Sequence, residues 1–198
     1  MDTSQRRRSI GIATFFIIAS AVGLLAAFVL LVEKLQILQF PDSKVSCDFG
    51  LVVQCGKNLA SWQGSLLGFP NPTLGLIAWP VVMATGVAIL AGARFAKWYW
   101  RSFNIVALAA LGFVIWLIWQ SIFFLGTLCP WCMVTWSVVI PLFWVSTLWN
   151  LKHGIWTANE RAREFGARLL GWSPTLTFAS YLVVAVIAQI QLDVLSYL

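Results

Sequence analysis

Two cysteines separated by two residues, Cys129 and Cys132, lie in the segment GTLCPWCMVTW at positions 126–136. A second pair, Cys47 and Cys55, bounds the segment CDFGLVVQC, with seven residues between the two thiols. Four thiols can exchange disulfides with one another or bind a metal ion. Structural zinc sites usually place paired ligands about two to four residues apart, and the first pair does not. We therefore expect redox chemistry and no metal site, while the choice among the possible disulfide pairings stays open.

The CPWC pair is predicted to lie at the start of a helix. Pro130 is favoured at the first helical position, where its missing N–H costs nothing. Cys132 then falls in the first turn, where the positive end of the helix dipole stabilises a thiolate. A disulfide between Cys129 and Cys132 closes too short a loop to staple a fold effectively. The pattern favours a reactive pair over an inert structural disulfide.

The composition is that of a membrane protein. Of the 198 residues, 60% are hydrophobic and only 10% are charged, and the mean hydropathy is +0.85. Soluble domains carry about 25% charged residues, so we exclude a water-soluble fold. The net charge of +6 is explained by membrane topology and does not indicate nucleic-acid binding.

Five apolar stretches are long enough to cross a bilayer, which takes about 20 residues per helix. The predicted spans are 12–32, 73–93, 103–128, 130–148 and 174–195. Residues 33–72, between the first two spans, contain the first cysteine pair in a long loop. We predict an all-α integral membrane protein that forms a single domain over residues 1–198.

Basic residues are divided unequally between the two sides of the predicted membrane. One side has Arg6, Arg7, Arg8, Arg94, Lys97, Arg101, Lys152, Arg161, Arg163 and Arg168. The other side has Lys34, Lys44 and Lys57. The positive-inside tendency therefore places the N-terminus in the cytoplasm and the C-terminus outside. All four cysteines then lie on the extracytoplasmic face, where disulfides persist.

The segment NLASWQGSLLGFPN, which follows the first cysteine pair, predicts a short amphipathic helix. Its apolar residues at helical spacing are Leu59, Trp62, Leu66 and Phe69. Asn58 is a suitable N-cap, and Gly68 with Pro70 marks the end. The stretch is too short to span a membrane, so we predict an interfacial half-helix, apolar face down, that forms a lid over the spans. Ordinary loop packing is the alternative. Asn71, at the mouth of the second span, is suited either to cap that helix or to donate a hydrogen bond to a ligand carbonyl.

These features resemble the vitamin K epoxide reductases and their bacterial homologues over about residues 12–150. The matching motifs are CDFG with a second cysteine eight positions later, Ser61, NPTLG with Asn71 and Gly75, and CPWC. The fifth span and the outside C-terminus resemble the bacterial branch of the family.

The resemblance implies a four-helix transmembrane bundle around a quinone, with a fifth transmembrane helix, an extracytoplasmic loop and a half-helix lid. It implies that Cys132 faces the quinone and that Cys129 exchanges with the loop. Cys55 is then the loop cysteine that attacks Cys129, and Cys47 is the one that meets a protein partner. The residues implied at the quinone are Asn71, as a hydrogen-bond donor, with Ser61, Trp62, Cys132 and Trp136.

The activity implied by the resemblance is quinone-dependent thiol oxidation. Such an enzyme reoxidises an extracytoplasmic, DsbA-like thioredoxin-fold partner and so supports disulfide formation in exported proteins. Electrons pass from Cys47 and Cys55 to Cys129 and Cys132, and then to menaquinone or ubiquinone. The location implied is the inner (plasma) membrane of a bacterium.

Two departures from the family pattern matter. Trp136 stands where animal members carry a tyrosine, so epoxide reduction and its inhibitor response do not follow from the resemblance. Many bacterial members append a thioredoxin domain after the fifth span, whereas this sequence ends at Leu198. We therefore expect the thioredoxin-fold partner to be a separate protein.

Three other functions were weighed against this one. A DsbB-type oxidase has the two cysteine pairs in the opposite chain order. A carrier of reducing equivalents across the membrane needs thiols reachable from both sides, and these four share one face. A non-enzymatic scaffold with two structural disulfides is the third alternative, and a quinone bound to the purified protein would exclude it.

Overall fold

The computed structural model describes residues 3–40 and 45–197, and these residues form a helical protein, as predicted. The helices are α1 (Thr3–Gln39), α2 (Gly56–Ala60), α3 (Pro72–Leu90), α4 (Lys97–Trp119), α5 (Pro130–Lys152), α6 (Glu160–Gly171) and α7 (Ser173–Leu192). A π-helical turn, Gln120–Leu125, extends α4, and 3-10 turns cover Trp62–Ser65 and Val194–Tyr197. Pro41 and Lys44, which belonged to the predicted loop and charge pattern, lie outside the described residues.

Among the described residues, five helices are long and apolar enough to cross a membrane, which confirms the predicted number of spans. They are α1, α3, α4 with its π turn, α5 and α7. The helix ends differ from the prediction, most clearly in α1, which runs from Thr3 to Gln39 instead of over 12–32. Hydropathy identifies only the apolar part of a helix. Helix α1 continues past it through Glu33 and Lys34, whose side chains are buried and bond to Ser46 and to the Leu59 carbonyl.

Helices α1 and α3 pack closely through small residues. A Cβ atom added to Gly23 of α1 would lie 2.1 Å from the indole of Trp79, and one added to Gly75 of α3 would lie 2.8 Å from the Cβ of Ala27. A Cβ on Gly86 would lie 2.9 Å from the Ala13 carbonyl. Small residues allow the backbones of membrane helices to approach, and this contact fixes α1, which carries the cysteine loop at its end.

Buried amides join α4 to α5. Asn150 donates through Nδ2 to the Trp100 carbonyl at 2.8 Å, and Asn104 donates to Thr147 Oγ1 at 2.7 Å. Helix α7 packs on the outer side of α5, where Trp144 donates through Nε1 to Ser180 Oγ at 3.2 Å. Hydrogen bonds between helices replace the water that is absent from a bilayer. The bundle therefore has α5 at its centre.

Two elements differ from the sequence prediction. The lid is not one half-helix that begins at Asn58. It is the short helix α2 followed by a 3-10 turn, and the chain turns at Gly68, where φ is +83°. Of the apolar residues expected on one buried face, Leu59 is buried and Trp62 is exposed, because each segment is too short to keep a single helical face.

Helix α6 was not predicted at all. Its amphipathic sequence begins at the N-cap Asn159, whose side chain accepts from the Arg161 N–H at 3.0 Å.

The contact of Gly23 with Trp79 predicts a steric effect on stability. We expect Gly23→Ala to lower the thermal midpoint in detergent micelles, because overpacking costs about 1–3 kcal/mol and exceeds the roughly 1 kcal/mol gained in helix propensity. Gly11→Ala, on the same helix with no atom within 4 Å of the added Cβ, should leave the midpoint unchanged or raise it. Equal midpoints for both variants would contradict the packing described here.

Candidate functional site

The loop that contains Cys55 is joined to the segment before Cys129 by backbone hydrogen bonds. The Leu128 N–H donates to the Val52 carbonyl at 2.7 Å, and the Gln54 N–H donates to the Leu128 carbonyl at 3.0 Å. These bonds form an isolated parallel bridge between Val53 and Leu128. The residue after Gln54 is Cys55 and the residue after Leu128 is Cys129, so the bridge places the two cysteines side by side.

A cluster of polar side chains holds the same contact from the other side. Asn58 on α2 donates through Nδ2 to Thr127 Oγ1 at 2.8 Å. Its Oδ1 accepts from the Ser121 hydroxyl at 3.1 Å, and Ser121 also donates to the Thr127 carbonyl. Ser121 and Thr127 are buried, so loss of one partner would leave buried groups unsatisfied. Sequence analysis assigned Asn58 to an N-cap, whereas the structure uses it to tie the loop to the helix pair.

Asp48 fixes the backbone at Cys55, where the loop ends and α2 begins. Its Oδ1 accepts from the backbone N–H of Cys55 at 2.8 Å and of Gly56 at 2.9 Å. These N–H groups begin α2 and have no carbonyl partner within that helix, so the carboxylate satisfies them and complements the positive helix end. The CDFG motif therefore supplies both a cysteine and the acid that orients the other cysteine of its pair.

The structure brings the two cysteine pairs together. Cys47 and Cys55 form a disulfide, and Cys129 and Cys132 are free thiols. Cys129 Sγ lies 3.3 Å from Cys55 Sγ, within reach for attack on the disulfide. Cys55 and Cys129 are 0% exposed and Cys47 is 3% exposed, so this chemistry is sealed from water. The arrangement can pass a disulfide from one pair to the other.

The start of α5 differs in one respect from the prediction. Pro130 opens the helix as expected, but Cys129 is its N-cap residue, and Cys129 Sγ accepts from the Cys132 N–H at 3.3 Å. The N–H at the positive helix end therefore points at the sulfur of Cys129, not at that of Cys132. This N–H therefore bonds to the sulfur that lies beside Cys55.

An acidic side chain that sequence analysis did not select lies beside the loop disulfide. Glu33 of α1 is buried, its Oε2 lies 3.1 Å from Cys47 Sγ, and its Oε1 accepts from the Ser46 hydroxyl. One carboxylate oxygen of Glu33 and the sulfurs of Cys47 and Cys55 lie within 4.8 Å of one another. Such a group can ligate a metal only through thiolates, and here the two sulfurs are bonded to each other. The sequence has no spacing signal for Glu33, because its burial and its contact with Cys47 arise only in the folded chain.

The residues expected at a quinone lie in two places. Cys132 and Trp136 are one turn apart on α5, and the Trp136 side chain is buried. Asn71, Ser61 and Trp62 belong to the lid. Asn71 donates through Nδ2 to the Gln63 carbonyl at 2.6 Å and accepts from the Leu66 N–H at 3.1 Å, while Ser61 donates to the Asn58 carbonyl at 2.7 Å.

The lid is held against α4 by two contacts that sequence analysis did not identify. Gln63, a buried side chain, donates through Nε2 to Gln120 Oε1 at 3.2 Å. The ring of Trp62 lies 6.0 Å from the ring of Trp116.

A cleft of about 730 Å³ lies at the opposite end of the bundle, between α1, α5, α6 and α7, and it contains none of the residues expected at a quinone.

Comparison with known proteins identifies the family. The model of the vitamin K epoxide reductase family matches residues 14–147, a segment that contains all four cysteines and most of the first four spans. The chain therefore belongs to the vitamin K epoxide reductase family. A search of curated proteins finds no match. Membership makes the chain a redox protein of a quinone-linked family whose chemistry runs through thiols and disulfides.

The proximity of Cys55 and Cys129 predicts the outcome of removing Cys47. In Cys47→Ala, Cys55 has lost its disulfide partner, and we expect it to form a disulfide with Cys129, which lies 3.3 Å away. Mass mapping of peptides under non-reducing conditions measures this link. Adding Asn58→Ala should lower its yield, because that change removes the side chain that ties α2 to Thr127. A Cys129–Cys132 disulfide with a free Cys55 would contradict the prediction.

Proposed function

We propose that this protein is a quinone-linked oxidase that makes disulfides for exported proteins by reoxidising a separate, DsbA-like thioredoxin-fold partner. The observation that carries the proposal is the distance of 3.3 Å between the sulfurs of Cys55 and Cys129, which connects a loop disulfide to a helix pair. Such a relay lets a bulky partner deliver electrons to thiols that are buried at the membrane rim.

The relay proceeds by thiol–disulfide exchange. A partner thiolate attacks Cys47 Sγ, the bond to Cys55 breaks, and Cys55 leaves as a thiolate. Cys55 then attacks Cys129 Sγ in an oxidised helix pair, and Cys132 leaves as a thiolate. The second partner thiol releases the partner as its own disulfide, and Cys47 attacks Cys55 Sγ to expel Cys129. Each transfer forms one S–S bond and breaks one.

In the proposed sequence, the state after the last exchange has an oxidised loop pair and two free helix thiols, which is the pairing in the described structure. The short contact between Cys129 and the loop disulfide supports an exchange at this point. The next step in the proposal is oxidation of the helix pair.

The residues that the resemblance assigns to a quinone have suitable chemistry. When bound, a quinone accepts an electron pair and protons. Asn71 has a second amide hydrogen beyond the one that it donates to Gln63, and its orientation is fixed by the Leu66 N–H. Trp136 and Trp62 supply aromatic surface, and Ser61, through its bond to Asn58, positions the start of the 3-10 turn that contains Trp62. These residues would hold menaquinone or ubiquinone beside Cys132.

The proposed location is the bacterial inner membrane, with the N-terminus in the cytoplasm and the C-terminus and all four cysteines outside. The support is the unequal division of basic residues and the fact that both cysteine pairs meet at one end of the bundle. Phe49 and Leu51, which lie on the loop between Cys47 and Cys55, are 76% and 80% exposed and offer apolar contact to a partner that approaches Cys47.

The test compares two electron donors with the purified protein in detergent. With wild-type protein, a reduced thioredoxin-fold dithiol and dithiothreitol should both bleach quinone absorbance. In Cys47→Ala, oxidation of the protein dithiol should fall by orders of magnitude because the partner cannot reach Cys55 or Cys129. Oxidation of dithiothreitol should persist, since a small thiol reaches the helix pair. Equal loss of both activities in a folded variant would refute the relay, and no quinone reduction by wild type would refute the oxidase.

Sidedness is tested separately by labelling whole cells. After mild reduction, an impermeant maleimide should modify the cysteines from outside the cell. Single-cysteine variants that keep only Cys132 or only Cys47 should behave alike, because both pairs share one face. A cysteine introduced in place of exposed Glu164 of α6 should be labelled only after lysis. Labelling of Cys132 only after lysis would reverse the proposed topology.

A further inference from the structure

Thiol exchange in this site requires protons to leave buried sulfurs. Only a thiolate attacks a disulfide, so each attacking cysteine must lose a proton first. Cys55 and Cys129 are 0% exposed and Cys47 is 3% exposed, which prevents direct loss of the proton to water. Cys55 and Cys129 each leave as a thiolate in the preceding exchange, so they attack without needing a base. Cys47 also leaves as a thiolate when the partner is released, but it lies at the end of the relay that the partner opens to water, where a cysteine with a pKa of about 8.5 takes up a proton at pH 7. It must lose this proton again at the step that closes the cycle.

Glu33 is the acid that contacts Cys47. Its side chain is 6% exposed, and Oε2 lies 3.1 Å from Cys47 Sγ, a distance at which a thiol can donate to a carboxylate. Glu33 lies at the end of the apolar stretch of α1, next to Lys34, and burial of a carboxylate there is costly, which favours a functional role.

Ser46 connects this carboxylate to the surface. Its hydroxyl donates to Glu33 Oε1, while Ser46 itself is exposed. The three groups thus form a continuous line from a sulfur, through the two oxygens of one carboxylate, to a hydroxyl in contact with solvent. A hydroxyl can pass a proton on because it both donates and accepts.

We propose that Glu33 is the general base that deprotonates Cys47 and that Ser46 carries the proton to solvent. The inference rests on the proposed disulfide relay. Glu33 takes the proton of the Cys47 thiol, and the Cys47 thiolate attacks Cys55 Sγ. The Cys47–Cys55 bond forms, the Cys55–Cys129 bond breaks, and the electron pair remains on Cys129 as a thiolate. The proton then passes from Glu33 through Ser46, and no further oxidant is required.

Other ionisable groups lie on α1 itself, on the cysteine loop, and on the helices that pack against α1. They are Lys34 on α1, Asp48 on the loop, Lys57 on α2, and Cys129 and Cys132 at the start of α5. Lys34, although buried, directs Nζ to the Leu59 carbonyl, and Asp48 accepts from the N–H groups that begin α2. Cys132 lies within electrostatic reach of Glu33 and belongs to the second pair. Of these groups, Glu33 is the carboxylate in contact with Cys47.

The test measures how fast the Cys55–Cys129 disulfide is resolved. The Cys132→Ala background keeps the other three cysteines, and diamide oxidises them there without quinone or partner. The molecules that form the Cys55–Cys129 disulfide are the starting species. Conversion to the Cys47–Cys55 disulfide is followed by acid quenching, alkylation and mass mapping. Glu33→Gln, which keeps the shape and the acceptor for Ser46, should slow this step about 100-fold at pH 7, the lower range for loss of a general base.

The pH profile separates a base from a structural role. A cysteine thiol without a base ionises by itself near pH 8.5, so the deficit of Glu33→Gln should shrink steadily as the pH rises past about 9. Ser46→Ala should give a smaller slowing of the same kind. Gln36→Ala, an exposed position on the same helix, should match the background.

Two outcomes would overturn the role of Glu33. One is a Glu33→Gln rate equal to the background at pH 7. The other is a slowing that is the same at every pH, which would indicate displaced sulfurs. If Glu33→Gln does not fold, Ser46→Ala decides the question on an exposed side chain. Because neither quinone nor partner is present, failure of the oxidase proposal would appear separately, as wild-type protein that does not reduce quinone.

Discussion

The site depends on the docking of the cysteine loop against the segment that precedes α5. A single parallel bridge between Val53 and Leu128 sets the register, and Asn58 secures it through Thr127. Cys55 lies two residues after Val53, and Cys129 directly follows Leu128. A shift of one residue in this pairing would therefore separate Cys55 from Cys129. Backbone pairing outside a helix is tolerated at a membrane rim only where the polar groups find partners, and here they do. The same bonds that satisfy the backbone therefore define the path for electrons.

Burial of the sulfurs explains several other features. In a disulfide relay whose sulfurs are buried, the exchange steps are confined to neighbours in the structure. The consequence is that charge and protons must be handled by side chains. The N–H of Cys132 points at Cys129, Asp48 orients Cys55, and Glu33 contacts Cys47. Each of these three cysteines thus has one group that contacts its sulfur or fixes its backbone.

The helix packing supports this arrangement from a distance. Small residues let α1 and α3 approach closely around Trp79, and the direction of α1 then fixes where its far end meets the loop. Glu33 and Lys34 lie on that end, and both side chains reach into the loop instead of into lipid. A change in the contact between α1 and α3 would therefore alter the cysteine site although it is several turns away.

The sequence by itself determined the fold class, the number of spans, the family and the four cysteines, because each of these follows from local composition or from spacing along the chain. It placed Pro130 at a helix start for the same reason. It did not determine the role of Asn58, which local propensity assigns to a cap and the tertiary structure assigns to a bond with Thr127. It did not select Glu33, since an isolated acid in an apolar helix carries no spacing signal, and only the folded chain brings its carboxylate to Cys47. The proximity of Cys55 to Cys129 was expected by resemblance alone. The folded chain decided it, because a contact between residues 74 positions apart depends on where separate elements pack.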